Sequence, residues 1–118
     1  MPPHVPAPPS NPQSTIRSQD CFYRPLSAAD RELAYRQDYN FDHPNAFDFD
    51  HQIDVLTELR AGSSSVAIPT YDFTTHSRLP PEHDTHVEAP QIIIFEGILA
   101  LFDERMRDLF DLKVFSSY

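Results

Sequence analysis

One lysine, two glycines, one cysteine and no tryptophan stand in 118 residues, and each scarcity removes a class of function. A loop that cradles ATP phosphates in the Gly-x-x-x-x-Gly-Lys-Ser/Thr pattern needs glycine amides that close round the phosphates and a lysine that reaches the terminal ones. Gly62 and Gly97 are the whole glycine supply, and neither precedes Lys113, so no such loop is encoded. Cys21 has no second cysteine to pair with, which excludes a secreted disulfide scaffold and favours a reducing compartment. Cationic side chains are scarce as well: nine Lys and Arg face eighteen Asp and Glu, a formal charge of -9, and the arginines are dispersed. A phosphate backbone is attracted by clustered cations, so no nucleic-acid partner is expected. No basic start leads into an apolar run, and no apolar stretch approaches the ~20 residues of a membrane helix. The expectation is a soluble, cytoplasmic chain with no membrane partner.

What is present suits one domain: 40% hydrophobic, 12% aromatic and 23% charged residues, in a length that can bury a single core. The twelve prolines are unevenly spread, with Pro2, Pro3, Pro6, Pro8, Pro9 and Pro12 all in the first dozen residues. Residues 1–15 carry almost nothing apolar to offset the entropy of ordering and read as a disordered tail, leaving 16–118 as the folded part.

Ser27 with Asp30 forms a capping pair that opens a short helix running to about Gln37. Tyr39 to His51 reads as a structured loop, interrupted at Pro44. Ile53, Val55, Leu56 and Leu59 make a helical stripe stopped by Gly62, which predicts a second helix over Asp48 to Ala61. Val66 to Ile68 and His86 to Glu88 flank a polar loop and are expected to pair as antiparallel strands. Ile92, Ile93, Ile94 and Phe95 form a continuous apolar run led by β-branched residues, the pattern of a parallel strand covered on both faces. A helix over Asp103 to Phe110 and a last strand over Leu112 to Phe115 complete the reading. The fold class is α/β, with a parallel core sheet and a small antiparallel hairpin.

Four groups of residues could carry chemistry, and each also has a plain structural explanation. Asp20 lies where an extended segment ends, the place on an α/β sheet where ligands sit, though an aspartate also forms turns. Phe41, Asp42, His43 and Pro44, with Phe47, Asp48, Phe49, Asp50 and His51, are dense enough in carboxylate and imidazole for zinc or manganese. No established ligand spacing is present, and an aromatic-anchored loop whose Asp48 caps the next helix explains the same residues. Tyr71, Asp72, Phe73, His76, Ser77 and Arg78 combine rings that stack with groups that read polar edges, which suits a flat heteroaromatic ligand; a hairpin tip with incidental aromatics is the alternative. Glu96 follows the apolar strand directly, where a carboxylate is costly unless it faces a cleft, a metal or a cation.

In the order they occur, Asp20-Cys21-Phe22-Tyr23-Arg24, Tyr39-Asn40-Phe41-Asp42-His43-Pro44-Asn45-Ala46-Phe47-Asp48, Ile68-Pro69-Thr70-Tyr71-Asp72-Phe73-Thr74-Thr75-His76-Ser77-Arg78 and Ile94-Phe95-Glu96-Gly97-Ile98-Leu99-Ala100 closely resemble uridine-cytidine kinases. The resemblance runs from about Arg17 to Phe115. It implies a P-loop kinase-like three-layer fold, incomplete here, and transfer of the terminal phosphoryl of ATP to the 5′-hydroxyl of uridine or cytidine with magnesium, a pyrimidine-salvage reaction. By the same resemblance Asp20 is the catalytic base and, with Glu96, a Mg2+ ligand. Asp42 holds the ribose hydroxyls. Tyr23, Phe41, Tyr71, Phe73, His76 and Arg78 line the nucleoside pocket. Cys21 replaces a small polar residue of the family pattern and Asn45 an aspartate. The family's P-loop, expected before Asp20, and its arginine-bearing lid, expected after Tyr118, have no counterpart in the sequence. That implies a partial domain holding the nucleoside side of the site, with neither ATP binding nor activity expected of this chain, and a homo-oligomer or pairing with a full-length subunit as its assembly. A non-catalytic nucleoside-binding or interaction protein derived from such a kinase is the alternative.

Overall fold

The structure, a computed structural model, describes residues 14–116. In chain order the elements are β1 (Ser14–Ser18), α1 (Ala28–Tyr35), α2 (Phe49–Arg60), β2 (Val66–Ile68), β3 (Tyr71–Asp72), β4 (Ser77–Arg78), β5 (Thr85–Val87), β6 (Ile92–Glu96) and α3 (Glu104–Leu109). Ser14 and Thr15, assigned to the tail on composition, are instead the first residues of β1. Their backbone groups are taken up by a parallel ladder with Ile92 and Ile93 of β6. The remainder of the expected tail, residues 1–13, lies outside the described residues.

The caps form where the sequence places them. Ser27 Oγ accepts the Asp30 N–H at 3.1 Å and opens α1, which stops at Tyr35 because the chain turns through Gln37 at a φ of 62°. Asp48 Oδ1 accepts the His51 N–H at 3.1 Å and opens α2. Gly62, at a φ of 82°, closes it in the left-handed conformation that a residue without Cβ adopts at no steric cost. The buried side of α2 presents Val55, Leu56 and Leu59 to Val66 and Ile68 of β2, Val87 of β5, Phe22 and Met106, and this is the main core. β2 and β5 pair antiparallel with Val66 opposite Val87, and β3 and β4 form a second short hairpin with Tyr71 opposite Arg78. A separate aromatic cluster of Tyr23, Phe47, Phe49 and Tyr71 lies beside the main core.

Two expectations need correction. β6 is parallel to β1, but it is covered on one face only: Ile93 and Phe95 pack on the core, while Ile92 and Ile94 are 57% and 50% exposed. Ile16 of β1, opposite Ile94, extends the open face. An apolar run reads alike whether one or both faces are covered, and only the surrounding elements decide. Leu112 to Phe115 is not a strand. No segment among the described residues pairs with it, and an extended segment without a hydrogen-bonding neighbour is not a ladder. Its Leu112, Val114 and Phe115 are exposed and line, with β6 and Leu109, an open apolar groove of about 1470 Å³ that reaches Glu96 and Phe102. Among the described residues no helix is long and apolar enough to cross a membrane.

Candidate active site

The parallel pairing of β1 and β6 places the carboxyl ends of both strands on one side of the sheet, with Ser18 opposite Glu96. Ser18 Oγ then accepts the Asp20 N–H at 3.1 Å and starts a 3-10 turn over Gln19–Phe22. That turn sends Gln19 inward, fully buried, and leaves Asp20 outside. Gln19 Oε1 accepts the Leu99 N–H at 2.9 Å and its Nε2 donates to Gln52 Oε1 at 3.3 Å. One side chain thus fastens the loop after β6 and the middle of α2 to the end of β1. Gly97 is what admits it, since a Cβ at that position would collide with Gln19 Cβ and Oε1.

Asp20 and Glu96 feel each other across this junction. The Asp20 carboxyl is raised above the usual aspartate range, by partial desolvation first and by the negative charge of Glu96 second. Two hard carboxylates that repel are a fit for a divalent cation such as Mg2+, which takes one or two carboxylates and completes its shell with water and phosphate oxygens. Cys21, half-buried beside them, has its thiol pushed up by burial.

Tyr23 is the hub of the aromatic cluster. Its ring stacks on Phe47 at 4.6 Å and 22°, tilts against Tyr71 at 5.3 Å, and takes the edges of Phe41 at 5.4 Å and Phe73 at 5.8 Å. The His76 ring stacks on Phe41 at 5.7 Å and 25°. Tyr23 and Tyr71 form a buried floor, whereas Phe41 and His76 are half-buried and Phe73 is 54% exposed. The Tyr23 phenol is pushed up to about 12, by burial first, then by Asp20 and Asp42. Both carboxylates therefore lie within electrostatic reach of the same ring. The Tyr71 phenol is likewise pushed up to about 12, chiefly by burial. Two polar atoms of this cage, Tyr71 Oη and His76 Nδ1, are buried without a hydrogen-bond partner. A buried polar group left unpaired costs on the order of 1–3 kcal/mol, and both atoms are free to pair with a polar group that enters the cluster.

The structure brings Asp20, Tyr23, Phe41, Asp42, Tyr71, Phe73 and His76 to one region, with Glu96 beside Asp20. Arg78 turns from it: its Nη1 is 3.9 Å from Asp48 Oδ2 and its Nη2 is 3.5 Å from His51 Nε2. Burial and the Arg78 charge hold the His51 imidazole below its usual range. In the dense acidic and histidine stretch from Asp42 to His51 the groups are engaged with protein partners: His43 Nδ1 accepts the Asn45 N–H, Asp48 caps α2 and Asp50 pairs with Arg105. Among the described residues no group of three or more His, Cys, Asp or Glu could hold a metal. Neither glycine forms a phosphate cradle, because Gly62 is a helix end and the space over Gly97 is filled by Gln19. The described residues form no cradle for the phosphates of ATP. Gln19, Gln52 and Tyr35, which touches His76, are not singled out by the sequence; a polar residue such as Gln19 between two apolar segments carries no signal of burial.

The model of the phosphoribulokinase/uridine kinase family matches residues 4–117. The chain belongs to that family. It is similar to uridine-cytidine kinase A of Dictyostelium discoideum, 48% identical over 100 residues that make up 85% of this chain and 19% of the other. It is 46% identical over 104 residues to the uridine kinase of Schizosaccharomyces pombe, covering 88% of this chain and 22% of the other. Uridine-cytidine kinase-like 1 of Mus musculus is 43% identical over 104 residues, 88% of this chain and 18% of the other. This family member thus spans about one-fifth of the length of these relatives. A solved structure, of a possible uridine kinase from Bacillus stearothermophilus, shares the fold with a TM-score of 0.59 at 17% identity, over 84% of this chain and 51% of that one. The α/β class, with its parallel pair and antiparallel hairpins, is the one expected from the sequence.

Proposed function

We propose that the chain is the nucleoside-binding half of a uridine or cytidine kinase site. The observation that carries this reading is the aromatic cage whose Tyr71 Oη and His76 Nδ1 are buried without partners, flanked by two carboxylates. A pyrimidine slides against Phe41 and Phe73, its polar edge pairing with Tyr71 and His76. Asp42 accepts from the ribose diol. Arg78, engaged by Asp48 and His51, stiffens the wall formed by β4. Asp20 lies at the sheet edge where the 5′-hydroxyl arrives; as base it accepts that proton, and with Glu96 it would hold Mg2+, which supplies charge neutralisation when phosphates are present.

Phosphoryl transfer is mainly positioning of phosphates and neutralisation of their charge, and this chain holds no phosphate cradle. By itself it binds the nucleoside and does not turn it over; the kinase activity of pyrimidine salvage needs an ATP site supplied by other residues. The relatives' names support the substrate class. Titration calorimetry with uridine, cytidine and adenosine, alongside a phosphorylation assay with ATP and Mg2+, tests the reading. Binding of the pyrimidine nucleosides in preference to adenosine, without turnover, is expected; equal binding of all three, or turnover near that of an intact kinase, would overturn it.

A further inference from the structure

His76 is the least conventional residue of the cage. Its φ of 51° lies in the left-handed region, where a residue with a Cβ needs its surroundings to hold it. It sits on the tip between β3 and β4, and the tip is secured on one side by its own hydrogen bonds: the Thr74 N–H to Asp72 Oδ1 at 2.8 Å and Thr75 Oγ1 with Ser77 Oγ at 2.7 Å. Neither touches the imidazole. Two rings do. Phe41 stacks on its face, and Tyr35, the last residue of α1, meets it edge-on with centroids 5.0 Å apart at 81°. The Tyr35 hydroxyl also donates to the Thr75 carbonyl at 3.4 Å.

We propose that Tyr35 is a positioning residue: it clamps the His76 ring against Phe41 and so aims the unpartnered edge of the imidazole into the cage. This rests on the nucleoside reading above. Three observations support it. Tyr35 is 58% exposed, so its ring is not required to fill the core. Its hydroxyl ties α1 to the hairpin tip forty residues further on. An imidazole flanked by rings on a face and an edge has one orientation, whereas a face contact alone leaves it free to slide. The hydroxyl bond is long and exposed, so the ring performs the clamping and the hydroxyl adds little.

The test compares Tyr35→Ala, Tyr35→Leu and Tyr35→Phe in the full chain, by titration calorimetry with uridine and by proton cross-relaxation between the His76 and Phe41 rings. Tyr35→Ala and Tyr35→Leu should weaken uridine binding at least fivefold and lose the His76–Phe41 cross-peaks, with the Tyr39–Phe41 cross-peaks and the thermal midpoint kept. Tyr35→Phe should restore both to within twofold of the native chain. Native affinity in the leucine variant, or weakened affinity with the His76–Phe41 cross-peaks intact, would overturn the proposal. Should the native chain bind no pyrimidine nucleoside, the kinase reading falls while the cross-peaks alone still decide the clamp: kept in Tyr35→Leu, they refute it.

Discussion

Asp20 and Asp42 flank one ring and are expected to respond differently to the same change. The folded chain holds the Asp20 proton more tightly than an unfolded chain does, since desolvation and Glu96 raise its carboxyl. The stability this group contributes is therefore fully present below the ordinary aspartate pKa and is lost as pH rises through the raised one. Asp20→Asn, uncharged throughout, should melt above the native chain at neutral pH and alongside it in acid; a lower midpoint at neutral pH would mean the carboxylate is stabilised where it lies. On the proposed nucleoside reading Asp42→Asn takes a charged acceptor from the ribose diol, and nucleoside affinity should fall about ten- to a hundredfold in calorimetry, as loss of a hydrogen bond to a charged group implies. An unchanged affinity would remove Asp42 from the site. Residue type and motif order mark Asp20, Asp42 and Tyr23 as candidates in the sequence. That Tyr23 is buried is not legible there, since its burial is set by Phe47 and Tyr71 packing from distant segments.

At the scale of elements, Gly97 is the tightest constraint. Gly97→Ala places a methyl group onto the buried Gln19 and should cost about 1–3 kcal/mol in chemical denaturation, as overpacking does, with loss of the Leu99-to-Gln19 hydrogen bond. A neutral substitution would show that the junction is looser than its geometry. Caps were read correctly from sequence because they are local: Ser27 and Asp48 bond within three residues of themselves, and Gly62 stops α2 through its own φ. The β1 start, the half-covered β6 and the unpaired segment 112–115 were not, because pairing and coverage depend on partners far away in the chain. Gln19, Gln52 and Tyr35 share that limit. Their roles come from contacts with residues 33 to 80 positions distant, which no local pattern records.

Across the whole molecule, two surfaces contrast. The aromatic cage carries unpaired polar atoms at Tyr71 and His76. The outward face of β1 and β6, with Ile16, Ile92 and Ile94, is apolar and continues into the groove beside Leu112 and Phe115. An open parallel pair with such a face is prone to self-association. Sedimentation velocity should show concentration-dependent association of the native chain, reduced when Ile92→Thr and Ile94→Thr are combined, with uridine binding unaltered. A native chain that stays monomeric and binds no hydrophobic dye would contradict this. The central claim, that the cage is the nucleoside site, is tested most directly by mapping backbone amide shifts as uridine is added. Shifts confined to the segments carrying Asp20, Tyr23, Phe41, Asp42, Tyr71 and His76 are the predicted result. Shifts centred on Ile92 to Phe95 and residues 111–116, with the cage segments unmoved, would contradict it.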